Sequence, residues 1–88
     1  MNFGEATKAA KEGKPICRKG WNGKGMFVYY VPAATYPSMT ELAKMVFGEY
    51  VNYNEYLAIK NVNDTVSTWV PSINDIFAED WEIATIEL

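Results

Sequence analysis

The sequence predicts a small α+β domain: an antiparallel β-sheet of about five strands, two short helices, one extra helical turn and no disulfide. Three observations point there. Asn2/Glu5, Ser38/Glu41 and Ser72/Asp75 each place an N-capping side chain three residues before a carboxylate, the mark of a helix start. Between these starts lie short apolar and aromatic runs separated by Gly, Pro and Asn-Asp turn signals. Cys17 is the single cysteine of 88 residues, so no internal bridge can form.

In order along the chain, Phe3 to about Glu12 reads as a helix with Phe3, Ala6, Ala9 and Ala10 on its packing face and Gly13 as its stop. Lys8 and Lys11 form its solvated side. Pro15–Lys19 is a short strand and Met26–Val31 a second, joined in a hairpin-like unit by a loop longer than a tight two-residue turn. The second strand is apolar on both faces, so it is either central in a covered sheet or at a subunit contact. Pro32–Pro37 reads as a loop. Ser38 and Glu41 open a helix to Phe47, ended by Gly48, whose Met39, Leu42, Ala43, Val46 and Phe47 read as core. Over Glu49–Asn54 no element is assigned; Tyr50 and Tyr53 pack over a partner chain or over a pocket rim.

Glu55–Lys60 and Thr65–Val70 form a β-hairpin around Asn61–Asp64. Alternation puts Val66, Thr68 and Val70 on one face and Thr65, Ser67 and Trp69 on the other. With the valines facing the core, Trp69 stands on a polar face, covering an interface, a ligand or a neighbouring loop. Ser72 and Asp75 cap a single helical turn through Ala78, and Asp80–Ile86 is the closing strand, with Trp81 as a core anchor. One domain, residues 1–88, accounts for the whole chain.

Composition narrows the function. With no histidine and one cysteine, the usual zinc sets and acid-base pairs cannot be assembled. There is no nucleophile elbow and no P-loop, and adjacent Glu79 and Asp80 point to opposite faces of a strand. Cys17 reads as a small buried strand residue, since no histidine can activate it. Carboxylates distant in sequence can still meet in space, which leaves a small hydrolase as the weakest reading. No apolar run is long enough to span a membrane and no signal peptide is evident, so a cytosolic protein with a reduced thiol is expected. The net charge of −3 is uneven: residues 1–25 carry six basic and two acidic groups, whereas residues 74–88 carry five acidic groups and no basic one. Such a chain repels a long polyanion while its basic end attracts a small anion, which argues against nucleic acid as a partner. Thirteen aromatic residues (4 Phe, 3 Trp, 6 Tyr) exceed the needs of one small core, so some belong to a subunit interface or a ligand pocket.

The stretch with most chemistry is Arg18–Gly25 (RKGWNGKG), which sets cations, glycines, Trp21 and Asn22 side by side. Cations attract phosphate, glycines admit a ligand close to the backbone and an indole offers a face to a base. The plainer reading is a solvated glycine turn with Trp21 tucked onto its own sheet. Stacking contributes about 1–3 kcal/mol per base, and a charge-assisted hydrogen bond about 1.5–3 kcal/mol. Nanomolar binding needs about 12 kcal/mol net, so one open loop is too little and a site with a second wall is required. Trp69 and the Ser72, Asn74, Asp75 cluster are candidates for that wall.

Several of these strings also occur together elsewhere. Asn2–Lys8 (NFGEATK), Cys17–Met26 (CRKGWNGKGM), Tyr29–Ala33 (YYVPA), Thr40–Lys44 (TELAK), Trp69–Asp75 (WVPSIND) and Ala78–Trp81 (AEDW) form an ordered set spanning nearly the whole chain. In this the sequence resembles the phage and prophage family of Thoeris anti-defence proteins of the second type. Cys17 and Ala33 depart from the alanine and glycine common at those positions. The resemblance implies a non-catalytic sponge acting in the cytoplasm of the infected bacterial host. It would sequester the cyclic ADP-ribose isomer made by Thoeris TIR proteins, as a homotetramer with pockets between subunits. It further implies that Trp21 and Trp69 sandwich or flank the purine, that Arg18 and Asn22 reach phosphate or ribose oxygens, and that Ser72, Asn74 and Asp75 hold ribose hydroxyls. No cofactor or metal is implied. The alternatives are a sponge for another cyclic nucleotide signal and a module that docks onto a host protein.

Overall fold

The computed structural model of the protein describes residues 1–21 and 25–86. In chain order its elements are α1 (Phe3–Lys11), β1 (Ile16–Arg18), β2 (Phe27–Val31), β3 (Ala34–Pro37), α2 (Glu41–Phe47), β4 (Tyr50–Tyr53), β5 (Tyr56–Lys60), β6 (Val66–Trp69), α3 (Ile73–Phe77) and β7 (Trp81–Ile83). Five strands form one antiparallel sheet in the order β6-β5-β2-β1-β7, and β3 pairs with β4 in a separate ribbon. The α+β class, the strand number of the main sheet and the three helical segments agree with the sequence reading.

Local chemistry sets the helix ends. The Asn2 side chain accepts from the Glu5 N–H at 2.8 Å while the Glu5 carboxylate accepts from the Asn2 N–H at 2.9 Å, closing the box at the start of α1. Ser72 and Asp75 exchange the same pair of bonds at the start of α3. Through Ala6, Ala9 and Ala10, all buried, α1 lies close on one face of the sheet. Beneath it are Ile16, Val28 and Trp81, flanked by Phe3, Tyr30, Leu57, Ile59 and Trp69.

Several expectations are overturned. Pro32–Pro37 is not simply a loop, because β3 pairs with β4, Tyr36 opposite Val51. Ser38 does not cap α2. Its N–H continues the ribbon by donating to the Glu49 carbonyl, and its hydroxyl donates to the Gly48 carbonyl at 2.6 Å, so the backbone there is still extended. The cap is Thr40, whose side chain accepts from the Ala43 N–H. The apolar stripe of this helix is not core either: α2 has no buried residue, and Met39, Leu42, Met45, Val46 and Phe47 are each more than 60% exposed. β3, α2 and β4 thus form an arm inserted between β2 and β5, closed at its base by Ser38.

A further correction concerns β6. Its register sets Trp69 opposite Leu57 and Ser67 opposite Ile59, and those β5 residues face α1. Trp69 therefore packs toward the core, while Val66 and Val70 are exposed. Alternation sorts a strand into two sets but does not say which faces inward; the area of an indole outweighs that of two valines. Cys17, expected to be buried, is half-buried on the opposite face of the sheet. On that face Phe27, Tyr29, Val31, Tyr56 and Val66 have no covering layer among the described residues.

Candidate functional site

β6 and β7 are the two edges of the main sheet, yet Trp69 and Trp81 lie with ring centroids 5.9 Å apart. The sheet therefore curls until its edges meet through their indoles over Phe3, whose ring is 5.5 Å from Trp81 and 6.4 Å from Trp69. Trp21, just past β1, completes the cluster at 5.5 Å from Trp81 and 6.3 Å from Trp69. All three indole pairs meet edge to face, the arrangement that the ring quadrupoles favour. Trp81 is the fully buried floor, its Nε1–H donating to the Asp75 carbonyl at 2.9 Å. Trp21 and Trp69 are half-buried and keep an outer surface. Within one chain these two touch directly, so no base fits between them as they stand; what the chain offers is a flank.

A charge clasp sits beside the indoles. Arg18 Nε donates to Asp80 at 2.8 Å and Arg18 Nη1 to Asp75 at 3.1 Å, tying β1 to α3 and to the residue before β7. The Asp80 backbone carbonyl also accepts from the Lys19 N–H at 3.1 Å. The Trp21 N–H returns to the Arg18 carbonyl, so the first part of the basic loop is a turn pinned at both sides. The hydrogen bond from Arg18, with its charge, holds the Asp80 carboxyl below its ordinary pKa. Burial pushes Asp75 up, but the bonds from Ser72 and the Arg18 guanidinium outweigh it and the net shift is downward. Arg18 is held above its ordinary value, first by Asp80 and then by Asp75.

On the uncovered side of the sheet is a cleft of about 190 Å³, lined by Cys17, Arg18, Lys19, Trp21, Gly25 to Phe27, Glu82, Ala84 and Thr85. Gly25 turns the chain into β2 with φ at +82°, a region that side chains with a Cβ rarely adopt. Burial, and then the Glu82 carboxylate, raise the Cys17 thiol above its ordinary pKa, the reverse of what a nucleophilic thiolate needs.

Of the residues singled out in the sequence, Arg18, Trp21, Trp69 and Asp75 converge around Trp81. Ser72 and Asn74 are exposed on α3 and its cap, with the Ser72 hydroxyl engaged in the capping box. Asn22 lies outside the described residues, as do Gly23 and Lys24. Two participants were missed: Asp80, which fixes Arg18, and Glu82, which lines the cleft. Their pairing with residues more than 60 positions away leaves no local signal.

With this geometry in view, the chain can be compared with known proteins. Residues 1–84 match the Thoeris anti-defense 2-like domain. The chain is 38% identical over 88 residues to Thoeris anti-defense 2 of Bacillus phage SP01, an alignment covering 97% of this chain and 96% of that protein. Both the span of the domain match and this near end-to-end identity lead to one conclusion: the chain belongs to the Thoeris anti-defense 2-like family.

Proposed function

We propose that this protein is a phage anti-Thoeris sponge, which binds the cyclic ADP-ribose isomer made by Thoeris TIR proteins and holds it intact in the host cytoplasm. The observation that carries this reading is the indole pair, Trp21 and Trp69, half-buried with an outer surface left free, of which Trp21 also lines the cleft with Arg18 and Lys19. A base stacks on the outer face of an indole, and phosphates meet the cations of the loop. Arg18, Trp21, Asn22, Trp69, Ser72, Asn74 and Asp75 are the proposed lining. The elevated thiol of Cys17 supports retention without chemistry.

A cleft of about 190 Å³ falls below the roughly 300–1,000 Å³ of typical small-molecule sites. The proposed pocket is therefore completed by a second copy, and the active form is a homo-oligomer, a tetramer on the family resemblance. The bare arm and the uncovered sheet face give that assembly its apolar surface. Burying each exposed Met, Leu, Val or Phe side chain of the arm contributes about 1.5–3 kcal/mol before association costs.

Thermal shift and calorimetric titration test the reading. Adding the cyclic ADP-ribose isomer should raise the melting temperature of the wild-type protein by several degrees. Trp21→Leu, which keeps an apolar cover on Trp81, should abolish that rise. A wild-type protein that ignores this isomer but is stabilised by a cyclic dinucleotide would move the assignment to another signal. Stabilisation by no nucleotide, together with a co-purifying host protein, would favour the docking module, for which the exposed α2 is the supporting feature.

A further inference from the structure

We infer that Arg18 is a positioning residue of the nucleotide site and not one of its phosphate ligands: with Asp75 and Asp80 it forms a clasp that sets the indole pair. Nε is taken by Asp80 and Nη1 by Asp75, so the directed edge of the guanidinium faces inward. Two carboxylates surround one cation, and an approaching phosphate meets no excess positive charge from this group. The clasp reaches each wall of the aromatic cluster. Trp21 is carried by a turn whose Trp21 N–H closes on the Arg18 carbonyl and whose Lys19 N–H donates to the Asp80 carbonyl. Trp81, on which Trp21 and Trp69 both rest, donates its Nε1–H to the backbone of Asp75, the other partner of the clasp. The fork presents N–H groups on two separate nitrogens, one to each carboxylate, whereas a lysine would have to reach both from a single Nζ. The attraction for phosphate then falls to the remaining cations of the loop, of which Lys19 lines the cleft.

The inference rests on the reading that the indoles take a nucleotide base, but its decisive tests include measurements without nucleotide. A phosphate-ligand role and a positioning role differ in sign. Asp80→Asn frees half of the guanidinium and removes a negative charge, so a ligand cation would then bind as well or better. As a positioning residue, Arg18 loses its hold, and retention of the cyclic ADP-ribose isomer should fall at least tenfold in Asp80→Asn, with Arg18→Lys giving no rescue. Wild-type or tighter retention in Asp80→Asn, or rescue by lysine, overturns the clasp. In the ligand-free proteins both variants should lose at least half of the near-UV circular dichroism of the coupled indoles while keeping the far-UV spectrum; an unchanged near-UV signal also overturns it. Wild-type protein alone gives a third check by NMR. The Arg18 Nε–H should be a protected, resolved resonance that stays in place when the cyclic ADP-ribose isomer is added, and a resonance that appears or shifts only with nucleotide contradicts the assignment. If the wild-type protein retains no nucleotide, the sponge reading fails, and the ligand-free dichroism and the wild-type resonance still decide the clasp.

Discussion

Trp81 and Val66 show how differently two apolar residues of the two edge strands can weigh. Trp81 is 1% exposed and touches Phe3, Trp21 and Trp69, so Trp81→Ala should cost about 3–5 kcal/mol in chemical denaturation. Val66 is 55% exposed on the uncovered face, and Val66→Thr should change stability by less than about 0.5 kcal/mol. A large loss at Val66 would restore the reading in which the valines of β6 face the core. Asp75 and Asp80 set the response to acid. Their folded pKa values lie below the ordinary carboxylate range, so their stabilisation is fully present above the unfolded pKa of about 4 and is lost as pH falls through the folded values. The melting temperature should therefore hold from pH 7 to 5 and drop below about pH 4. Asp80→Asn should flatten that drop, which a melting series against pH would record.

Elements whose determinants are local are the legible ones. The capping boxes at Asn2 and Ser72 and the β5–β6 hairpin rest on residues within a few positions of one another, and the fold places them where the pattern does. The ribbon and the sheet order are not local. β3 finds β4 across the whole of α2, and β2 pairs with β5 on the far side of that arm. The candidate site divides in the same way. Its glycine-rich loop can be read directly, but the orientation of Trp69 depends on register, and the Arg18–Asp80 pair closes over 62 positions. The choice between Ser38 and Thr40 as cap can be tested. Thr40→Ala should weaken α2 by about 0.5–2 kcal/mol, whereas Ser38→Ala should loosen the base of the arm, seen as faster amide exchange at Gly48 and Glu49 and unchanged protection in the main sheet.

As a whole the chain is long for its mass. Its principal extents are 44 × 26 × 23 Å and its radius of gyration is 15.3 Å, against about 12 Å for a compact chain of this length. The excess comes from the arm, whose apolar helix is fully presented to its surroundings. A charge placed there, Met45→Asp with Phe47→Asp, should lower the native mass to that of a smaller assembly or a single chain and leave the main sheet folded, as native mass spectrometry and far-UV dichroism would report. On the proposed function the same variant should lose nucleotide retention, because the completing copy is absent. The most direct measurement of the central claim is recovery of the small molecule itself. Purified protein is incubated with the cyclic ADP-ribose isomer, freed of unbound nucleotide by filtration and heated to unfold it, and the released material is identified by mass spectrometry. The account predicts intact isomer in near-stoichiometric amount; an opened or hydrolysed product, or no retained nucleotide, would contradict it.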